Sequence, residues 1–169
     1  MYSHEEIFKK ATKLAMEHGT RDPFRLAKGT GVIVTYHDLG SLKGMYTIIQ
    51  RNRFCALNEN LNEYEQRLIC AHELGHDVLH RALALDRYLQ EHTIYQFNNR
   101  IEYEANIFAA ELLLPDEDVL ELVKCGYDAA QIARCLETDA DLAAIKLESL
   151  RQKGYGLRSG EYKRNFLRK

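Results

Sequence analysis

Five consecutive residues, His72-Glu73-Leu74-Gly75-His76, carry the plainest chemistry in this chain. On an α-helix, side chains four apart lie one above the other on the same face, so the two imidazoles can converge on one metal ion. Glu73 stands one residue round from His72, beside such an ion but not bound to it, where its carboxylate can take a proton from a water that the metal activates. Zinc lowers the pKa of that water to about 7, which makes a nucleophile for a peptide carbonyl available at neutral pH. With 7 histidines in 169 residues, chance placement gives about 0.03 such motifs. Both histidines also fall in line with the apolar stripe Leu68, Ile69, Leu79 and Leu83, where a polar group costs free energy unless it is partnered. A metal would satisfy both at once; a core pair bonded to backbone carbonyls is the bland alternative. Gly75 adds to the pattern, because glycine inside a helix costs about 1 kcal/mol relative to alanine and marks close approach by another element or a ligand.

A catalytic zinc needs a third protein ligand and an open fourth position. The elongated zinc-peptidase motif expects Gly and His three and six residues after the second histidine, where this chain has Leu79 and Ala82. His80 extends the row, but three histidines on one straight helix cannot surround one ion, so it reads as a residue behind the ligands or in the core. The following helix offers Glu102, Glu104 and Glu111. Its core face is marked by Ala105, Phe108, Ala109, Leu112 and Leu113, and Glu102 continues that face backwards. Glu102 is therefore the expected third ligand and Glu104, stacked over Phe108, the alternate. Asn106, one turn beyond Glu102, is placed to hydrogen-bond the far nitrogen of a ligand histidine and so fix its tautomer. Glu111 is expected to face water, as helix charges usually do. Tyr88, His92, Tyr95 and Tyr103 are the nearby donors that could stabilise an oxyanion, and nothing selects among them.

The elements that must position these residues can be read from periodicity. Ile7, Phe8, Ala11, Leu14 and Ala15 repeat at helical spacing and Gly19 ends that helix; Asp22-Pro23 opens a second one through Ala27. Val32–Tyr36, Met45–Ile49 and Phe54–Leu57 are β-branched and aromatic, and the connections at Gly40-Ser41 and Arg51-Asn52-Arg53 suggest a three-stranded antiparallel meander. Asn62 with Glu65 forms a capping box for the motif helix, which should run to about Arg81. A polar connection over 86–98 leads to a helix over about 100–114 that stops at Pro115. Short helices follow, to Lys124, from Asp128 with Gln131, and from Thr138 or Asp139 to Gly154. The expected fold is α+β: a small sheet packed against a mainly helical domain that carries the HExxH helix. Residues 1–127 read as the peptidase domain, 128–152 as a helical pair packed on it, and 153–169 as a basic tail.

Composition bounds the rest. A 46% hydrophobic, 28% charged chain is an ordinary globular domain, which at this size can bury roughly 68–70% of its unfolded surface without metal or disulfide staples. The net charge of −2 hides a division, because residues 151–169 hold seven basic residues against Glu161 alone. The body is thus acidic, which speaks against direct DNA binding. The outline of a helix-turn-helix over 128–151 does not alter this, since Asp139, Asp141 and Glu148 outweigh Lys146 on its second helix. Four cysteines without a Cys-x-x-Cys pair, an N-terminus bearing Glu5 and Glu6, and no apolar run near 18 residues lead us to expect free thiols, no membrane span and a cytoplasmic location.

The run His72-Glu73-Leu74-Gly75-His76-x-x-Leu79-His80, followed by the segment from Ile101 through Leu114-Pro115, resembles the ImmA/IrrE family of metallopeptidases, and the order of elements resembles it over nearly the whole chain. The resemblance implies a thermolysin-like zinc site, with Glu102 as third ligand and Asn106 supporting a ligand histidine. It also implies regulatory proteolysis: cleavage of a helix-turn-helix repressor that silences genes of a mobile element or prophage. The competing expectation is a metal-stabilised anti-repressor that inactivates its partner by docking, without cutting. An intact Glu73 favours cleavage, because a purely structural metal site has no use for a base beside its ligand.

Overall fold

The computed structural model describes residues 1–85 and 98–157. Its opening helix, α1 (His4–His18), starts on a capping box made by Ser3 and Glu6 and ends at Gly19 in the left-handed conformation. Asp22 caps α2 (Pro23–Thr30), which leads directly into β1 (Val32–His37). Two more strands follow, β2 (Gly44–Ile49) and β3 (Asn52–Asn58). The motif helix is α3 (Glu63–Leu85), opened as expected by Asn62, whose Oδ1 accepts from the Glu65 backbone while Glu65 reaches back to the Asn62 N–H. Beyond the second described boundary come α4 (Asn98–Leu113), α5 (Asp116–Lys124), α6 (Ala129–Cys135, capped by Asp128 and Gln131) and α7 (Ala140–Gln152, capped by Asp139). The class is α+β as expected. No helix among the described residues is long and apolar enough to cross a membrane.

The sheet is mixed rather than the antiparallel meander expected from its short connections. Its order is β1-β3-β2: β2 and β3 form the hairpin, while β1 pairs with β3 in parallel, Val34 opposite Cys55. The hairpin turns on Gln50 and Arg51, both at positive φ, the geometry of the two-residue turns that match strand twist. The link from β1 to β2 must then cross two interstrand spacings, about 9.5 Å, and six residues span that easily. It arches over the end of β3, where the buried Asn58 amide donates to the carbonyls of Gly40 and Leu42 at 3.0 and 2.8 Å. A loop that length permits either pairing, and the side chain of Asn58 satisfies the backbone that the arch leaves unpaired.

One hydrophobic core joins the elements, with Ile7, Ala11, Leu26, Leu57, Leu74, Phe108, Leu112, Ile132 and Leu150 all buried. The helices α3 and α4 lie side by side at its centre, with the sheet on α3 and both α1 and α7 on α4. Gly75 explains how closely α3 and α4 approach: a Cβ there would lie 3.1 Å from the Ala105 Cα and 3.2 Å from its carbonyl oxygen. The close partner implied by this glycine is therefore a second helix. Glu111 departs from expectation, being buried rather than facing water. Its carboxylate accepts from Lys146 Nζ at 2.6 Å, from Lys153 Nζ at 3.1 Å and from the Ser149 hydroxyl. Asp116 shares both lysines. A charge can occupy the α4–α7 interface because the opposite charge enters from the other helix.

Candidate metal centre

The α3 helix presents His72 and His76 on one face, one turn apart, and the close contact at Gly75 brings Glu102 of α4 over them. His72 Nε2 lies 3.0 Å from His76 Nε2 and 3.1 Å from Glu102 Oε2; His76 Nε2 lies 3.4 Å from Glu102 Oε1. Among the described residues these three form the one group of side chains set to share a metal, their ligating atoms all within 4.8 Å of one another. The imidazoles are mostly shielded, while Glu102 is 43% exposed at the rim.

Each histidine is held from behind. Asn106 Oδ1 lies 2.8 Å from His72 Nδ1; an amide oxygen only accepts, so Nδ1 carries the proton and Nε2 offers its lone pair toward the cluster. His76 Nδ1 faces His80 Nδ1 at 3.3 Å, and His80 Nε2 faces Glu104 Oε2 at 3.1 Å. Glu104, the alternate ligand read from sequence, thus stands with His80, Arg100 and the Tyr2 backbone rather than in the three-residue cluster.

Glu73 sits beside this group and is buried. Burial raises its pKa above the ordinary carboxylate value, an effect that His72 and His76 oppose and the Glu102 charge assists. The backbone N–H of Tyr46 on β2 favours its charged form, so the sheet borders the candidate base. Gly44 makes room for this: a Cβ there would collide with the Ile69 side chain and lie 3.1 Å from Glu73 Oε1. Burial would lower the His72 pKa, but the Glu102 carboxylate against its ring and the charge of Glu73 carry it above its usual value. Burial would likewise raise Glu102, yet the two imidazoles facing its carboxylate hold it well below the carboxylate range. Lone pairs and carboxylates converging from three sides call for positive charge at their centre, which is the chemistry of a divalent-metal site.

The remaining expectations fall in several places. Tyr103 packs edge-on against His4, with ring centroids 5.9 Å apart. Tyr88, His92 and Tyr95 lie outside the described residues, as does the tail beyond Leu157. The sequence reading missed the Asp77 junction: its buried carboxylate, next to His76, accepts from Tyr46 Oη at 2.6 Å, from Arg53 at 2.7 Å and from Arg81 at 2.8 Å. It ties β2 and β3 to the motif helix. An aspartate one position past a ligand pattern was its only signal.

Residues 27–148 match the family model of the IrrE N-terminal-like domain, peptidase M78. The chain is 33% identical over 135 residues to an uncharacterized immunity region protein 2 of Bacillus phage phi105, covering 79% of this chain and 84% of that one. It is 24% identical over 152 residues to Metallopeptidase ImmA of Bacillus subtilis (strain 168), covering 89% of each. Among solved structures, a Mycobacterium tuberculosis transcriptional regulator superposes with a TM-score of 0.63 at 15% identity; the match covers 89% of this chain but spans 48% of that one, a likeness of fold. With most of its length inside the family model and its titratable groups gathered around one motif helix, this chain belongs to the ImmA/IrrE family of metallopeptidases.

Proposed function

We propose that this chain is a zinc-dependent endopeptidase that cleaves a helix-turn-helix transcriptional repressor and so derepresses genes of a prophage or other mobile element. One observation carries the catalytic part: His72, His76 and Glu102 converge from two helices while Glu73, buried beside them, does not join the cluster. The donor set suits zinc. Bonds of 2.0–2.1 Å in a tetrahedron put neighbouring ligand atoms about 3.3–3.4 Å apart, close to the 3.0, 3.1 and 3.4 Å separations found. Zinc held there would polarise the scissile carbonyl and bring the attacking water's pKa near neutrality. Glu73 takes the proton of that water and returns it to the leaving amine, a transfer favoured by a carboxylate whose pKa is raised toward the operating pH.

The strand β2 is the proposed substrate platform. It lies at the sheet edge, and the Asn58 N–H to Lys43 carbonyl bond fixes the pairing phase, so the backbone groups of residues 44, 46 and 48 point away from β3. An extended peptide added along this edge would pass Glu73. The regulatory part is supported by the relatives: one carries the name of a phage immunity region protein, the other that of a metallopeptidase. Of the two basic residues on α7, Lys146 is buried against Glu111 and Asp116 and Arg151 pairs with Glu148.

The test is to incubate the zinc-loaded protein, and Glu73→Gln in parallel, with a repressor encoded beside it. The expected result is one specific cleavage by the wild type, none by Glu73→Gln, and equal zinc content in both. Loss of repressor activity with Glu73→Gln as complete as with the wild type would instead establish a docking anti-repressor.

A further inference from the structure

Behind His76, a chain of hydrogen bonds runs away from the cluster, through His80 of α3 to Glu104 of α4. Glu104 Oε2 lies 3.1 Å from His80 Nε2, and His80 Nδ1 lies 3.3 Å from His76 Nδ1. Both middle members are buried, His80 at 7% and Glu104 at 4% exposure. The other Glu104 oxygen accepts from the Tyr2 backbone N–H at 3.3 Å and from Arg100 Nε at 3.2 Å, and the Tyr2 ring stands 6.4 Å from His80. With His80 neutral, the donor directions along this chain follow from its carboxylate end. An ionised carboxylate only accepts, so His80 Nε2 must carry a proton; in a neutral imidazole the other nitrogen, Nδ1, then accepts. His76 Nδ1 must therefore donate, which leaves its Nε2 without a proton and aimed at His72 and Glu102.

We propose that Glu104 and His80 are positioning residues that set the tautomer of His76 through this Glu104–His80–His76 relay, and that Tyr2 and Arg100 hold the relay's far end. The proposal rests on His76 being a metal ligand. It makes the two ligand histidines equivalent by different means, since His72 takes the same tautomer from Asn106 directly. A carboxylate two residues past Glu102 thus acts on the cluster from behind, through a histidine, where Glu102 acts from the front. The relay also explains why a third histidine stands four residues past the second although it cannot reach the shared centre.

Two measurements test this on the full chain. In the metal-free protein, nitrogen NMR of the imidazoles should find both His72 and His76 protonated at Nδ1; an Nε2–H tautomer at His76 overturns the proposal. In chelator competition, Glu104→Leu should weaken zinc binding by roughly 10–100-fold, with the metal-free melting temperature less affected than the affinity. Glu104→Gln should recover most of the loss, because its amide oxygen can still accept from His80. Combining Glu104→Leu with His80→Phe should cost no more than either alone, as members of one chain are not additive. Unchanged affinity, or affinity loss that only tracks a loss of fold in both Glu104 variants, refutes the relay. Retention of stoichiometric zinc by His76→Ala would instead refute the ligand assignment beneath it.

Discussion

Gly75→Ala separates two forces that act in opposite directions at one atom. Considered as a helix residue alone, alanine should stabilise α3 by about 1 kcal/mol, which in a chain of this size raises the melting temperature by roughly 2–4 °C. The structure reverses the sign. The new Cβ would lie 3.1 Å from the Ala105 Cα, 3.2 Å from its carbonyl oxygen and 3.3 Å from its Cβ, against an ordinary carbon contact of about 3.5–4.0 Å. Two of the three atoms are backbone, so no rotamer can yield and the helices must part by about half an ångström. Overpacking of this kind costs typically 1–3 kcal/mol, which leaves a net loss of about 0–2 kcal/mol. The site should feel the change more than the fold, because His72 and His76 ride on α3 and Glu102 on α4, with only 3.1–3.4 Å between their ligating atoms. We expect cleavage to fall roughly 10-fold or more, given that a 1 Å misplacement can cost about 100-fold, and zinc affinity to weaken with it. Thermal unfolding, chelator competition and peptide hydrolysis on the same preparation decide the matter. A variant that melts higher and cleaves at the wild-type rate would refute the argument that helix contact sets the site.

Other expectations concern the ion cluster and the metal. Lys146→Met leaves buried Glu111 with Lys153 as its remaining cation, so urea denaturation should show a loss of about 3 kcal/mol; a loss below about 1 kcal/mol would show that the cluster contributes little. Burial would raise the Asp116 pKa, but the hydrogen bonds and charges of Lys146 and Lys153 hold it below the usual aspartate value. Its stabilisation is therefore complete above the unfolded pKa of about 3.9 and is lost as pH falls through the lower folded value. Asp116→Asn should accordingly lose less stability than the wild type on acidification below about pH 4, as measured by denaturation at stepped pH. Metal removal by a chelator should abolish cleavage and lower the melting temperature by mass action, yet leave the far-UV helical signal intact. The core of Leu26, Leu57, Leu74, Phe108 and Leu150 is buried without help from the metal residues, so unfolding on chelation would contradict it.

The candidate site was legible where its logic is local. His72, Glu73 and His76 lie within one helical turn, so their common neighbourhood follows from 3.6-residue periodicity alone. Glu102 and Asn106 followed from the same rule on a second helix, and both stand where that face predicts. Caps behaved in the same way: Asn62 with Glu65, Asp128 with Gln131, and Asp139 each bond residues two or three positions away, an interaction that needs no knowledge of the fold.

The sequence by itself determined which residues are chemical, which residues cap most of the helices, and which face of each helix is apolar, because these depend on contacts a few residues long. Only the tertiary structure decided which elements meet. It paired β1 with β3 across an arching loop held by Asn58, took Glu111 from solvent into an interface with Lys146, and moved Glu104 from alternate ligand to the back of His80. In each case the deciding partner lies 16 or more residues away. The physical reason is that buried charges and amides take their position from the group that satisfies them, and periodicity along one element carries no information about which other element brings that group.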